Sequence, residues 1–302
     1  MSSRFTYPER LAALHPTRHQ AQVFGSDTVW WDYPVTDTAR ASSDTVIAIH
    51  GFRGDHHGLE LFAAFWAEQH LIIPDLPAFG ESGAFAEQPH SIKSYAEWLL
   101  DFVEQVRPNS GRVIILGHSF GSIVVSAALA RGLRVDAAIL VNPISAPALE
   151  GPRGVLTQGA IAYYRLGAAL PERLGHAWLS NWAVVRTMSV AMAKSPEPEL
   201  RKFIHEQHDR YFSTFANRGA LLEGFRTSVS NDVSEFAADI HVPVLLIVAE
   251  RDDITPLEAQ FALAEQLESA DLRVIPRVGH LVHYETPAVA VEHMRDFLAK
   301  LT

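Results

Sequence analysis

A serine flanked by glycines is the residue of this chain whose setting most suggests chemistry. Ser119 stands in the sequence GHSFG, between the apolar runs 113–116 and 123–130. A sharp turn from a strand into a helix needs small residues around the serine, because the backbones approach too closely for a Cβ atom. Gly117 and Gly121 meet that need, and such a turn exposes a nucleophilic hydroxyl. The alternative is an ordinary tight turn in which Ser119 caps the following helix.

A serine hydroxyl becomes a nucleophile at neutral pH only when a base takes its proton and an acid orients that base. The chain offers both types beyond Ser119, each in a loop that follows an apolar run. The candidate acids are Asp252 and Asp253, and the candidate bases are His280 and His283. The residue types and their order therefore predict a Ser-Asp-His constellation for nucleophilic catalysis.

Six short apolar runs would position these loops. Runs that are apolar on both faces are typical of buried parallel strands, and helical patterns lie between them. This alternation predicts an α/β fold with a mostly parallel sheet that helices cover on both sides. The predicted strands are 46–49, 71–73, 113–116, 138–141, 244–248 and 272–275.

Capping patterns predict where three of the helices begin. A capping box at Ser94 opens an amphipathic helix over 94–107, and a second box at Thr255 opens a helix with proline in its first turn. The last predicted helix begins at Thr286 and runs to the end of the chain.

The strand–helix alternation breaks once. Between 146 and 235 the spacing of apolar residues is helical and no strand pattern occurs. We therefore expect a helical cap over 146–235, inserted between a first core part over 1–145 and a second core part over 236–302.

Composition narrows the function classes. The 302 residues contain no cysteine, which excludes thiolate zinc sites and cysteine nucleophiles. The net charge of −10 disfavours nucleic acid and anionic membranes as partners. The chain starts without a signal-like apolar segment and has no window long enough to span a membrane. We expect a cytoplasmic monomer or homodimer that acts on a small molecule.

Five motifs in order resemble the α/β-hydrolase fold family, in its capped serine esterase and lipase-like branch. They are HGFRG from position 50, DLPAFGES from 75, GHSFG from 117, ERDDITP from 250 and VGHLVHYETP from 278. The resemblance implies about eight strands, with the cap inserted after the sixth. It also implies a site that needs no metal and no cofactor.

The resemblance assigns roles to the candidates. It makes Ser119 the nucleophile and His280 the base, and it favours Asp252 over Asp253 because the family spaces its acid four residues before a proline. For His283 we expect a hydrogen bond that steadies the loop.

The same resemblance places the oxyanion hole and the pocket. The backbone N–H groups of Phe52 and Phe120 would stabilise the oxyanion. For Arg53 we expect an ion pair to an acidic neighbour, with a substrate carboxylate as the alternative. A zinc site at His205 and His208 is disfavoured, because no third ligand is placed to complete it. The expected pocket residues are His50, Gly51, Arg53, His118, Tyr163 and Trp182.

The expected function is hydrolysis of a small or medium apolar carboxylic ester, thioester or lactone through an acyl-enzyme. Carbon–carbon bond hydrolysis or lysis on the same scaffold is the first alternative. His118 and Leu281 depart from what such enzymes usually carry before the nucleophile and after the histidine. A ligand receptor that uses the cap pocket without turnover is the second alternative.

Overall fold

A computed structural model describes residues 6–146 and 154–301. The described residues form eight strands and twelve α-helices. The strands are β1 (Thr17–Val23), β2 (Ser26–Tyr33), β3 (Thr45–Ile49), β4 (His70–Pro74), β5 (Val113–His118), β6 (Ala137–Val141), β7 (Val244–Ala249) and β8 (Ala270–Ile275). The helices are α1 (Tyr7–Ala12), α2 (Glu60–Phe65), α3 (Ile92–Val106), α4 (Phe120–Leu129), α5 (Gly154–Ala169), α6 (Glu172–Leu179), α7 (Trp182–Met192), α8 (Pro198–Tyr211), α9 (Arg218–Ser230), α10 (Leu257–Gln266), α11 (Val282–Glu285) and α12 (Pro287–Leu298).

All eight strands join one sheet in the order β1-β2-β4-β3-β5-β6-β7-β8. Strands β3 to β8 run parallel, and β2 pairs antiparallel with both β1 and β4. The prediction of a mostly parallel eight-stranded sheet flanked by helices is confirmed. All six apolar runs lie in β3 to β8, whereas the hairpin of β1 and β2 had not been located in the sequence.

Both faces of the sheet are buried, which explains why its central strands are apolar throughout. Every residue of β3, β5, β6 and β7 is buried. One face packs with α3 and α4, and the opposite face packs with α2 and α12. Because parallel strands end at one edge, the loops after β3, β5, β7 and β8 meet there. Among the described residues, no helix is both long and apolar enough to cross a membrane.

Two helix starts differ from the prediction. Helix α3 begins at Ile92, and its cap is Ser91, whose hydroxyl accepts a hydrogen bond from the N–H of Ser94. Helix α10 begins after Pro256 without a side-chain cap. The Thr255 hydroxyl instead donates to Asp252 and accepts from Gln260 Nε2.

Between β6 and β7 the described chain forms the helices α5 to α9 and no strand. This helical segment, 154–230, lies within the predicted cap, whose residues 147–153 fall outside the described part of the chain. An isolated antiparallel bridge joins Phe79 to Phe215, so the segment contacts the loop after β4 directly. The three-part domain division stays a prediction.

Candidate active site

Ser119 lies on the turn between β5 and α4 in a strained backbone conformation. Its φ of 53° and ψ of −119° are rare for a residue with a Cβ atom. A Cβ on Gly117 would lie 2.6 Å from the carbonyl oxygen of Gly121, and a Cβ on Gly121 would lie 2.3 Å from that of Ile49. Both glycines are therefore required by close backbone contact, as the sequence pattern indicated.

One hydrogen-bonded chain connects Ser119 to His280 and Asp252. The Nε2 atom of His280 lies 2.8 Å from Ser119 Oγ, and its Nδ1 atom lies 2.7 Å from Asp252 Oδ2. His280 and Asp252 are buried, while Ser119 is partly exposed. With the imidazole proton on Nδ1, Nε2 is free to accept the serine proton. The arrangement can thus move a proton from the hydroxyl to the imidazole.

The surroundings of Asp252 keep it ionised. Burial alone would raise its pKa, but the charge and hydrogen bond of His280 and the amides of Ile254 and Thr255 outweigh that effect and lower the pKa. The Ile254 amide donates to Oδ1 at 2.7 Å, and the Thr255 hydroxyl donates to Oδ2 at 3.2 Å. A carboxylate with these partners holds its orientation as well as its charge.

The two rival candidates take other positions. Asp253 is 68% exposed at its side chain and pairs with Lys194, so it does not reach His280. The ring of His283 packs 4.1 Å from that of His118, centroid to centroid. Its Nδ1 atom is buried without a hydrogen-bond partner among the described residues. The expected loop-steadying hydrogen bond of His283 is therefore not found.

Asn142 steadies the histidine loop, a role that the sequence analysis missed. It is fully buried after β6, and its Nδ2 donates to the carbonyl of His280 at 2.7 Å. Its Oδ1 accepts from the N–H of Ala249 at 3.0 Å. Asparagine is one of the side chains that tolerate its φ of 44°. The only hint in the sequence is a polar residue directly after a buried strand.

Glu285 is a second stabilising residue that the sequence did not reveal. Its buried carboxylate accepts hydrogen bonds from the backbone N–H groups of Lys194, Ser195 and Gly279. The first two lie between α7 and α8, and the third directly precedes His280. One side chain thus joins the helical segment to the histidine loop.

Phe52, in the loop after β3, lines the same cavity as Phe120. Where the structure describes the chain, neither N–H donates a hydrogen bond. His50 holds this loop, because Nδ1–H donates to the carbonyl of Gly51 and Nε2 accepts from the N–H of Leu76. Burial lowers the pKa of His50, which fits a neutral ring with both nitrogens used.

A cavity of about 200 Å³ opens at Ser119 between the sheet edge and the helical segment. Its walls include Met188, Met192, Leu281 and Ile144, and no described Lys or Arg lines it. Of the six predicted pocket residues, His50, Gly51 and His118 line the cavity. Arg53, Tyr163 and Trp182 do not line it.

The three residues that were wrongly predicted to line the cavity have other contacts or are exposed. Arg53 is buried and donates to the carbonyls of Leu179 and Phe212 and to the hydroxyl of Tyr164. No described carboxylate pairs with it, so the expected ion pair is not found. The alternative, a substrate carboxylate, would have to reach a residue that does not line the cavity. Trp182 is 64% exposed. Tyr163 donates its hydroxyl to the carbonyl of Trp178.

Among the described residues, one group brings three candidate metal ligands together: Asp55, His56 and His57. The Nδ1 atoms of both histidines are already used in hydrogen bonds within the protein, His57 Nδ1 with Asp55 and His56 Nδ1 with Asp75. His205 belongs to no described three-ligand group, and its Nδ1 atom lies 2.6 Å from the hydroxyl of Ser189.

The chain is similar in sequence to several known proteins. A sequence profile described as the alpha/beta hydrolase family matches residues 46–293. The chain is 23% identical over 273 residues to a putative 2-succinyl-6-hydroxy-2,4-cyclohexadiene-1-carboxylate synthase of Bacillus subtilis (strain 168), covering 89% of this chain and 95% of that protein. It is 23% identical over 271 residues to putative esterase/lipase 2 of Mycoplasma pneumoniae, covering 83% of this chain and 88% of that protein.

The fold also resembles that of a solved esterase structure. A thermophilic esterase from Thermogutta terrifontis superposes with a TM-score of 0.73 at 20% identity, covering 94% of this chain and 99% of that one. The matched profile includes every loop that meets at Ser119. The chain belongs to the alpha/beta hydrolase family, and the protein is a hydrolase.

Proposed function

We propose that the protein hydrolyses a small or medium apolar carboxylic ester, thioester or lactone, with Ser119 as nucleophile. The observation that carries the proposal is the continuous hydrogen-bonded chain from Asp252 through His280 to Ser119 Oγ. A serine without such a base has no means of losing its proton at neutral pH.

The proposed reaction has two steps. His280 Nε2 takes the proton of Ser119 as Oγ bonds to the carbonyl carbon, and the alcohol leaves with that proton. Water then attacks the acyl carbon and gives a proton to His280. The acid leaves as the bond between that carbon and Ser119 Oγ breaks, and His280 returns the proton to Oγ. Asp252 keeps the imidazole oriented and stabilises its positive charge.

Two backbone amides support the oxyanion in both steps. Phe52 and Phe120 line the cavity beside Ser119, and their N–H groups are free of protein acceptors in the described chain. Each preorganised donor of this kind contributes about 3–4 kcal/mol to transition-state stabilisation in a water-excluded site.

The cavity favours a neutral substrate. No described Lys or Arg lines it, and Asp55 does. An anionic substrate would lose its hydration there without gaining a counter-charge. Carbon–carbon bond cleavage on the same scaffold is a second candidate, and the Bacillus subtilis relative is described as a synthase of a carboxylate and not as an esterase. The missing counter-charge argues against a carboxylate substrate for this chain.

Labelling with a fluorophosphonate and mapping the adduct tests the nucleophile. We expect the adduct on Ser119 and no adduct in Ser119→Ala. Ser228, another serine that lines the cavity, supplies the matched control, and Ser228→Ala should keep the adduct on Ser119. An adduct on any other serine contradicts the assignment.

A chain-length series of p-nitrophenyl esters tests the substrate class. Each added methylene that fits the cavity should raise kcat/KM, by an amount equal to up to about 1 kcal/mol of activation free energy, until the cavity is full. We expect an optimum at short to medium acyl chains. A flat profile, or a preference for an anionic acyl group, contradicts the neutral apolar pocket.

A further inference from the structure

Three polar side chains form one wall of the cavity and take no part in the proposed reaction. They are His208 on α8 and His283 and Tyr284 on α11, called here the polar wall. All three are buried, and all three line the cavity. Polar side chains inside an otherwise apolar cavity commonly fix the orientation of a ligand.

The polar wall has unused hydrogen-bonding capacity. His283 Nδ1 is buried without a hydrogen-bond partner, and the Tyr284 hydroxyl makes no hydrogen bond to a described residue. His208 uses Nδ1 with the hydroxyl of Ser189 at 2.8 Å and has no described partner at Nε2. His50, in the same cavity, uses both of its nitrogens. Buried polar groups in proteins are nearly always paired. The buried, unpaired Nδ1 of His283 is therefore the strongest sign that the polar wall takes a partner outside the protein.

The polar wall is close to Ser119 and its base. The ring of His118 lies 5.4 Å from that of His280, and the ring of His283 lies 4.1 Å from that of His118, centroid to centroid. Tyr284 follows at 4.4 Å from His283. A ligand that reaches Ser119 can therefore contact the polar wall with another part of the same small molecule.

The wall offers neutral groups to that ligand. Burial lowers the pKa of His208 to about 3 and that of His283 well below its usual value, so both rings are uncharged at neutral pH. Burial raises the pKa of Tyr284, which keeps its hydroxyl protonated. These residues belong to no described group of three metal ligands. Neutral donors and acceptors suit an uncharged oxygen better than a carboxylate or a cation.

We propose that the polar wall binds an uncharged oxygen, a hydroxyl or a keto group, on the substrate whose ester bond lies at Ser119. This assignment rests on the proposed ester hydrolysis and adds the substrate class. The Tyr284 hydroxyl and one imidazole N–H donate hydrogen bonds to that oxygen. If the oxygen is a hydroxyl, it also donates a hydrogen bond to an unprotonated imidazole nitrogen.

Two pairs of esters of nearly equal size test the proposal in the intact protein. The first pair is p-nitrophenyl 3-hydroxybutyrate and 3-methylbutyrate, which differ on the acyl side. The second pair is 3-hydroxybutyl butyrate and 3-methylbutyl butyrate, which differ on the alcohol side. We expect the hydroxyl to raise kcat/KM at least about tenfold in one pair, because the apolar partner leaves buried polar groups unpaired.

Variants connect that preference to the wall. Tyr284→Phe removes the hydroxyl and keeps the ring, whereas His283→Phe removes both ring nitrogens and adds a somewhat larger ring. Each should reduce the hydroxyl-to-methyl ratio of kcat/KM at least about fivefold. His241→Phe is the matched control, since that histidine is 72% exposed and does not line the cavity. Tyr284→Phe, the gentler change, keeps the test available if His283→Phe does not fold.

Binding of the intact esters to Ser119→Ala, measured by ligand-observed NMR, distinguishes ligand recognition by the polar wall from ester hydrolysis. Tighter binding of a hydroxylated ester supports the proposal for the polar wall even if no ester is turned over. Absence of turnover would overturn only the proposed hydrolysis. The polar wall is overturned if neither pair shows a hydroxyl preference in turnover or binding. It is also overturned if both variants leave the preference intact.

Discussion

Replacing Asp252 by asparagine alters a single atom in contact with His280. Asp252 Oδ2 lies 2.7 Å from His280 Nδ1, and Oδ1 accepts from the Ile254 amide at 2.7 Å. Asparagine can keep the second bond, but it then directs an NH2 donor at Nδ1. The imidazole must present an unprotonated Nδ1 and carry its proton on Nε2, where it can no longer accept the proton of Ser119.

The magnitude follows from that exchange of tautomers. A base in the wrong tautomer costs about a thousandfold to ten-thousandfold in kcat, or about 4–5.5 kcal/mol of activation free energy. We expect Asp252→Asn to lose at least about a thousandfold on p-nitrophenyl butyrate. Circular dichroism and thermal unfolding should show the same fold, since the change is nearly isosteric.

Asp253→Asn is the matched control, because it makes the same chemical change one residue away. That side chain is 68% exposed and, among the described residues, pairs with Lys194. A surface ion pair contributes about 0–1 kcal/mol, so we expect less than about a fivefold change in kcat. Equal losses in the two variants, or a larger loss in Asp253→Asn, would refute the orientation of His280 by Asp252.

Two stability predictions concern the packed interior. Gly121→Ala should lower the free energy of unfolding by several kcal/mol or abolish folding, because the new Cβ would lie 2.3 Å from the carbonyl oxygen of Ile49, whereas Gly159→Ala meets nothing within 4 Å and should raise it by about 0.5–1 kcal/mol. Urea unfolding of both variants checks this pair, and equal effects would contradict it. Burial lowers the pKa of His118 and of His208 to about 3, so the unfolded chain binds more protons below the ordinary pKa of 6.5. Each histidine then removes about 1.4 kcal/mol of stability per pH unit as the pH falls from about 6.5 towards 3. His208→Gln should flatten the urea-derived slope between pH 6 and pH 4, and an unchanged slope would contradict this account.

The sequence predicted elements whose signal is local. Strands β3 to β8 appear as apolar runs because both faces of the sheet are covered, and glycine spacing identified the turn at Ser119. The hairpin of β1 and β2 lies at the sheet edge, where β1 alternates exposed and partly buried residues. Strand β1 has the polar composition of a loop, and β2 was not located although it contains Val29, Trp30, Trp31 and Tyr33.

Contacts between distant segments were not predictable in the same way. Arg53 was expected to meet a carboxylate, but carbonyls more than 120 residues away satisfy it. The unpaired Nδ1 of His283 depends on the contacts that bury its ring, such as the packing against His118, which no local pattern encodes. Thr255 has the spacing of a helix cap, yet its hydroxyl serves Asp252. Tertiary context decided each of these cases.

The carboxylate of Glu285 makes one mechanical unit of two distant stretches of chain. It accepts from the amides of Lys194 and Ser195 on one side and of Gly279 on the other. Any displacement of the chain between α7 and α8 must either break these bonds or pull Gly279 along, and with it His280. Residues elsewhere on α7 and α8 can therefore vary to suit a different substrate, while this junction keeps the histidine in register with Ser119.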